Sequence, residues 1–370
     1  MNYICLYVNS EMTHKQSPPT KRFSPWLAFF LLSLLSPVTA SEILVTRVEG
    51  EIIVKTASTT QQTKLYPGAL LPEKAKLTSK SADARYWVLC PGFDKPQSAQ
   101  PLENFHQHCP KKESQKMRGG DDENTPFILL PNQSKLGRLE RILWSGPEGN
   151  QYAIMLFRYD AEGFEELVRE WQPETSTYQG GGIHEFILET PLPLAFTEKN
   201  EIVYKLEVEN IDTSQSSSKF DEILIKPITH PRPHALMEKG YKLLKEQNVE
   251  HHSELGKLIL AAYLIGNEQR AEAYALLSEL KNSRYRTQAQ LLKAKMLYQP
   301  GTPEDIIVKQ YGKALELAVA NHDVLGSLIA CRGIFTPSPL LLSSGGLEYQ
   351  KQILHKPEFA RYCPNNLELK

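Results

Sequence analysis

The chain has 370 residues, 41% of them hydrophobic and 23% charged, which is the composition of a folded protein long enough for two or three domains. Lys and Arg total 42 and Asp and Glu 43, so no net field draws the chain to nucleic acid or anionic lipid, and partners selected by bulk charge are excluded.

Lys21 and Arg22 precede an apolar run from Trp26 to Leu35, followed by Pro37 and the small residues of Val38-Thr39-Ala40. A basic start, about ten apolar residues and a small-residue cut describe a secretory signal peptide, because such a run is too short to span a bilayer. Residues 1–40 are therefore expected to be a signal peptide cleaved before Ser41, with Met12 a candidate true start; an uncleaved anchor is the alternative. The mature chain then carries 39 basic and 42 acidic residues. No later stretch is apolar enough to cross a membrane, so the mature form is expected without a transmembrane span, in the periplasm or outside the cell. Cleavage removes Cys5 and leaves Cys90, Cys109, Cys331 and Cys363, an even number that suits an oxidising compartment and allows three connectivities. Cys90 and Cys109 are each followed by Pro and bracket one polar loop, so they are the favoured pair; loop closure there is worth roughly 3 kcal/mol. Cys331 and Cys363 either tie the C-terminal tail to a helix or remain a buried thiol and a free one.

Residues 41–118 read as a small β domain. Ile43, Val45 and Val48 lead to a Glu49-Gly50 turn, and Glu51 to Lys55 resumes as a strand, which predicts a hairpin. Tyr66-Pro67-Gly68 turns before Ala69 to Pro72, and Arg85 to Cys90 has the aromatic and β-branched content of a strand. Residues 91–108, with Pro91, Pro96 and Pro101, read as irregular. The order from Val45 to Val54, then L-Y-P-G-A-x-L from Leu65 to Leu71, then a strand ending in Cys90-Pro91, resembles the FecR-type β domain found in many exported bacterial proteins. In that family a second Cys-Pro, an R-G-G-[DN] motif and a P-[YF]-I-[IL]-x-P motif follow. Here Cys109-Pro110, Arg118-Gly119-Gly120-Asp121 and Pro126 to Pro131 stand in those places.

Residues 124–228 read as a second β unit. Tyr152, Ile154, Leu156 and Arg158 share one face of a strand; Ile202, Tyr204, Leu206 and Val208 form an apolar stripe opposite Val203, Lys205, Glu207 and Glu209. Further strands fall at Ile142-Leu143-Trp144, Leu167 to Trp171, Phe186 to Leu188, Pro191 to Leu194 and Ile223 to Ile225, and Gly180-Gly181-Gly182 reads as a turn. Short strands at this spacing, with an early Trp and a late Tyr, resemble an immunoglobulin or fibronectin type III sandwich.

Pro227, Pro231 and Pro233 mark a linker, after which residues 234–335 turn helical. Leu236, Tyr241 and Leu244 define a first apolar face; Leu255, Leu258, Ile259, Ala262 and Tyr263 a second; Ala273, Leu276, Leu277 and Leu280 a third. Helices also fall from Asn282 to Leu297 and from Leu325 to Ile334, and Thr302-Pro303-Glu304 predicts a helix start with Thr302 as N-cap and Pro303 at the first position. The stretches Ala261 to Leu277 and Tyr311 to Ala318 resemble tetratricopeptide repeats, which implies packing roles for Ala261, Tyr263, Ala273, Tyr311 and Ala314; an ordinary helical bundle is the alternative. Residues 336–370 read as a tail with one weak helix, mobile unless Cys363 pins it.

The sequence is thus expected to fold as an all-β N-terminal half, of two modules, followed by an all-α helical-repeat domain. No catalytic, cofactor or metal motif stands up. His184-Glu185 has Leu188 where a zinc-protease motif needs its second His, the Asp121 to Asn124 cluster lacks the Gly and distal Glu of a calcium loop, and His106, His108 and the His251-His252 pair are too few to coordinate a metal. The architecture and its resemblances imply a non-catalytic exported scaffold or adaptor that holds an envelope protein or peptide through helical repeats, without a cofactor. Two other readings are open: binding of peptidoglycan or polysaccharide by the β modules, and FecR-like signalling.

Overall fold

A computed structural model of the chain describes residues 43–55, 62–72, 75–90, 96–101, 125–132, 135–159, 164–173, 177–194, 202–211, 219–227, 232–298, 302–337, 342–360 and 362–363. The expected signal peptide, Cys109, the histidines at 106 and 108, and the motifs at 109–110 and 118–121 lie outside the described residues.

Among the described residues the first β unit has seven strands in two sheets: β1 (Ile43–Glu49), β2 (Ile52–Lys55), β3 (Gln62–Lys64), β4 (Leu70–Leu71), β5 (Lys76–Ser79), β6 (Arg85–Leu89) and β7 (Gln97–Ala99). The sheets run β4-β1-β6-β7 and β3-β2-β5. The hairpin expected across Gly50 does not form. Gly50 has φ +79°, and the chain turns there out of one sheet and into the other. Part of the segment expected to be irregular is strand, since β7 pairs with β6.

The second unit comprises β8 (Phe127–Leu130), β9 (Lys135–Leu136), β10 (Arg138–Ser145), β11 (Tyr152–Tyr159), β12 (Glu165–Trp171), β13 (Thr177–Gly180), β14 (Ile183–Pro193), β15 (Val203–Asn210) and β16 (Lys219–Pro227). They form the sheets β13-β14-β10-β8 and β12-β11-β15-β16-β9. The two strands expected at 186–188 and 191–194 are one strand, β14, whose pairing with β10 shifts register between Leu139 and Arg141. Ile142, Trp144, Ile154, Leu156, Leu206, Val208 and Ile225 fill the space between the sheets, as the alternating stripes of β11 and β15 require.

Eight helices follow among the described residues: α1 (Arg232–Glu246), α2 (Glu254–Gly266), α3 (Arg270–Glu279), α4 (Arg286–Leu297), α5 (Glu304–Ala320), α6 (Val324–Phe335), α7 (Ser344–His355) and α8 (Pro357–Ala360). The all-β then all-α layout therefore holds. On α1 the buried face is Gly240, Leu243 and Leu244, and Tyr241, expected to be inward, is exposed. Thr302 does not cap α5. Its hydroxyl donates to the Leu297 carbonyl at 2.8 Å, and Pro303 holds the N-cap position without a side-chain bond. Residues 342–360 hold two helices of the expected tail: Ser343 caps α7 through Gly346 N–H, and Cys363 is disulfide-paired with Cys331 of α6.

All the described elements belong to one compact unit. The reason lies in strands buried on both faces. In β1, Ile43 and Val45 face the other sheet of their own unit, and Leu44 between them packs with the helices. Leu70 and Leu71, Leu89 and Val88, and Leu129 and Ile128 divide in the same way, the first of each pair joining the helical core. Each β unit thus has one sheet wedged between its partner sheet and the helices. The central helices α4 and α6 consequently have no exposed residue.

Candidate functional site

Two seams and one open face concentrate the polar chemistry. In the first seam, the first β unit meets the N-terminal ends of α2, α4 and α6. Gly68 has φ +91°, and a Cβ there would stand 2.6 Å from the Tyr285 ring. Gln288 of α4 donates to the Tyr66 hydroxyl at 2.7 Å and to the Asp323 carboxylate that caps α6. Burial pushes the Asp323 carboxyl up, against the bonds it receives from Gly326 N–H, Gln288 and Tyr66; burial and then Asp323 push the Tyr66 phenol up.

In the second seam, the β13–β14 hairpin sits on α5. Gly180, Gly181 and Gly182 all have positive φ, and the Lys313 ammonium donates to the carbonyls of Gln179 at 2.7 Å and Gly180 at 3.1 Å. Beside it, Arg141 of β10 is ion-paired with Glu185 of β14, both largely buried. The Tyr274 ring of α3 receives Arg141 at 5.4 Å and the Lys293 ammonium of α4 at 4.6 Å. Lys293 is held down at about 8, first by burial and then by Arg141, Lys313 and Lys281, with Glu185 opposing. His184, next to Glu185, stacks on Trp144 at 5.4 Å, and its Nε2 lies 3.1 Å from the Pro147 carbonyl. Burial lowers its pKa. His184 and Glu185 thus lie on a strand, each engaged in packing.

The third region is the outward face of the five-stranded sheet. Lys205 lies near its middle, 2.6 Å from Glu165, 3.3 Å from Glu207 and 4.3 Å above the Phe157 ring. Burial opposes its charge, but hydrogen bonds to Glu165 and Glu207 raise its pKa above the ordinary lysine value. Glu165 also accepts from the Tyr159 hydroxyl at 2.8 Å, and its pKa is lowered by Lys205 and Tyr159.

The residues singled out from sequence fall elsewhere. Cys90 is disulfide-bonded, and its expected partner Cys109 lies outside the described residues. The Cα atoms of Cys331 and Cys363 are 5.5 Å apart. Ala261, Tyr263, Ala273, Tyr311 and Ala314 are all buried in the helical core. His251 and His252 lie ring to ring at 3.7 Å beside Tyr241, and among the described residues no three His, Cys, Asp or Glu side chains converge on a point. Sequence reasoning missed Arg141, Tyr274 and Lys293, and weighed Glu185 only beside His184 as a metal motif; the four meet only across elements. The one local signal for them was charge at 141 and 185 inside apolar strands. Compared with known proteins, the chain matches no family model and no curated protein.

Proposed function

We propose that this protein is an exported, non-catalytic adaptor of the cell envelope that holds a protein or peptide partner. The observation that carries the reading is the way its helices stack. Beyond sequential neighbours, α2 packs on α4, α4 on α6 and α5 on α7, the next-but-one pattern of a helical-repeat array. Three of the turns end alike. Asn248, Glu268 and His322 have φ between 55° and 65°, and the next N–H returns to the carbonyl five residues back: Val249 to Leu244, Gln269 to Leu264 and Asp323 to Ala318. Recurrent stacking and recurrent termination support the tetratricopeptide-like reading. The FecR-like order of the first unit and the basic-apolar leader support export. Because α4 and α6 have no exposed residue, the stack serves as the hub that fixes both β units, and the partner is met by surface outside that hub.

Cross-linking the full mature chain in envelope extract, identifying the adduct and reconstituting the pair from purified components tests this. A stoichiometric complex with one protein is the expected result. Retention by peptidoglycan or polysaccharide alone would replace the adaptor by a polymer-binding protein.

A further inference from the structure

The outward face of the five-stranded sheet can be mapped row by row from its register. Leu167, Phe157, Lys205 and Leu224 are cross-strand partners in one row over β12, β11, β15 and β16. Glu170, Met155, Glu207 and Glu222 form the next, and Ala153, Glu209 and Phe220 the one beyond. On the other side of the first row stand Glu165, Tyr159 and Val203. Leu167, Phe220 and Leu224 are 49%, 48% and 59% exposed, whereas the opposite face of β11, β15 and β16 fills the sandwich core. Large apolar side chains left in water at the corners of one sheet face, with Phe157 and charged groups between them, mark it as a candidate interaction surface.

Charge decides what the surface takes. Five glutamates lie on these rows, and the lysine at their centre is already engaged. Lys205 is bonded to Glu165 and Glu207, lies 4.0 Å from Glu222, and is covered to 13% side-chain exposure. It is not offered to an incoming anion; with five glutamates against Lys205 and Lys226, which stands outward at the end of β16 beyond Leu224, the outward chemistry is apolar and predominantly acidic. Such a surface repels an anionic polymer, and it repels its own copy in a symmetric pair, because the glutamates of the two copies would face each other. Its dimensions follow from sheet geometry. Leu167 to Leu224 spans three strand spacings, about 14 Å, and Phe220 to Leu224 covers about 13 Å along β16. Two to three turns of an α-helix match that span, with apolar residues at i, i+4 and i+7.

We propose that this face, centred on Leu167, Phe157 and Leu224 and ringed by Glu170, Glu209 and Glu222, docks a basic amphipathic helix of a protein partner. The proposal rests on the adaptor reading and names the surface that carries it. The partner's apolar stripe covers Leu167, Phe157, Leu224 and Phe220, and Lys or Arg side chains flanking the stripe reach the glutamates. The three outer carboxylates supply orientation and a salt-dependent on-rate, and the apolar stripe supplies most of the affinity.

The test uses the full mature chain and a fluorescent synthetic peptide of about 14 residues in which Leu and Lys are placed at helical spacing; a Leu/Glu peptide of the same pattern is the control. Wild type is expected to bind the Leu/Lys peptide, more weakly in high salt, and not the Leu/Glu peptide. The doubles Phe220→Ser/Leu224→Ser and Glu170→Lys/Glu209→Lys alter exposed or half-buried positions, and each is expected to weaken binding about ten-fold or more with an unchanged urea midpoint. Ile187→Ser, at a residue 54% exposed on the other sheet, is expected to change nothing. Equal binding by all variants, equal binding of the Leu/Glu peptide, or a self-association abolished by Leu224→Ser would overturn the proposal. A cross-linked protein partner bound equally by both double variants would sink this surface and leave the adaptor standing. Retention by polymer alone would sink both.

Discussion

His322 sits just beyond α5 with φ +55°, a left-handed conformation that a residue bearing a Cβ adopts at a cost and glycine adopts freely. It is half of the turn that lets Asp323 N–H return to Ala318 at 2.8 Å and lets α6 start at once, with Asp323 as its cap. The side chain is exposed, so nothing is lost in packing when it is removed. His322→Gly is therefore expected to stabilise the protein by about 0.5–1 kcal/mol, measured as a higher urea midpoint at unchanged slope. A drop in stability would mean that the imidazole contributes more than the backbone strain costs. Asn248 holds the same conformation after α1 and already has the side chain best suited to it short of glycine, so the corresponding change there is expected to be smaller.

At the scale of elements, α7 and α8 are joined to the body by the Cys331–Cys363 pair and by α5. Asp305 of α5 accepts from Ser343 N–H at 3.1 Å, and α5 packs on both C-terminal helices. The pair closes a loop of 32 residues, for which the chain-entropy model gives roughly 3–4 kcal/mol. Cys363→Ser is expected to lower the denaturation midpoint accordingly and to speed amide exchange in α7 before any other helix. Exchange that quickens evenly over the whole chain would show that the tail is no separate unit. Existence and type of nearly every long element were legible in the sequence, because period-2 stripes such as Tyr204-Leu206-Val208 and period-3.6 stripes such as Ala273-Leu277-Leu280 each point to one face. What was not legible is which core a second face enters. Ile43-Leu44-Val45 and Phe127-Ile128-Leu129-Leu130 are unbroken apolar runs, the pattern of strands covered on both sides, and that pattern does not say what covers them. The outward face is the converse case. The alternation of β15 already set Lys205, Glu207 and Glu209 on one side, but the row joining them to Leu167 and Leu224 depends on register, which no single strand records.

On the scale of the whole molecule, the seam between sandwich and helices contributes to how stability responds to pH, and Lys293 is the group through which its share above pH 8 can be measured. Its ammonium lies on the Tyr274 ring, faced by Arg141 from β10, Glu185 from β14, Lys313 from α5 and Lys281 beyond α3. Burial and three cations outweigh one carboxylate already paired with Arg141, and the lysine falls from 10.5 to about 8. A base whose pKa is lower in the folded than in the unfolded chain releases its proton sooner when folded. Between about pH 8 and 10.5 the unfolded state binds more protons, and stability rises with pH; below about 8 both states are protonated and the full penalty stands. Tyr274 works in the opposite sense. Burial raises its phenol, so its contribution is complete below its ordinary value of 10 and is lost as pH rises above that. The clean window is therefore pH 8 to 9.5, read as the difference between wild type and variant. Lys293→Met keeps the stem on the ring and removes the charge. It is expected to raise stability at pH 7 by about 1–3 kcal/mol and to flatten the rise across that window. Glu185→Gln leaves Arg141 and Lys293 without their carboxylate and is expected to cost about 3 kcal/mol at pH 7 and to steepen the same rise. Because the helical core includes Leu44 of one β unit and Leu143 of the other, both changes are expected to shift a single unfolding transition. Two separate transitions, with only one of them moved, would show that the sandwich and the helices hold together less tightly than their shared core requires.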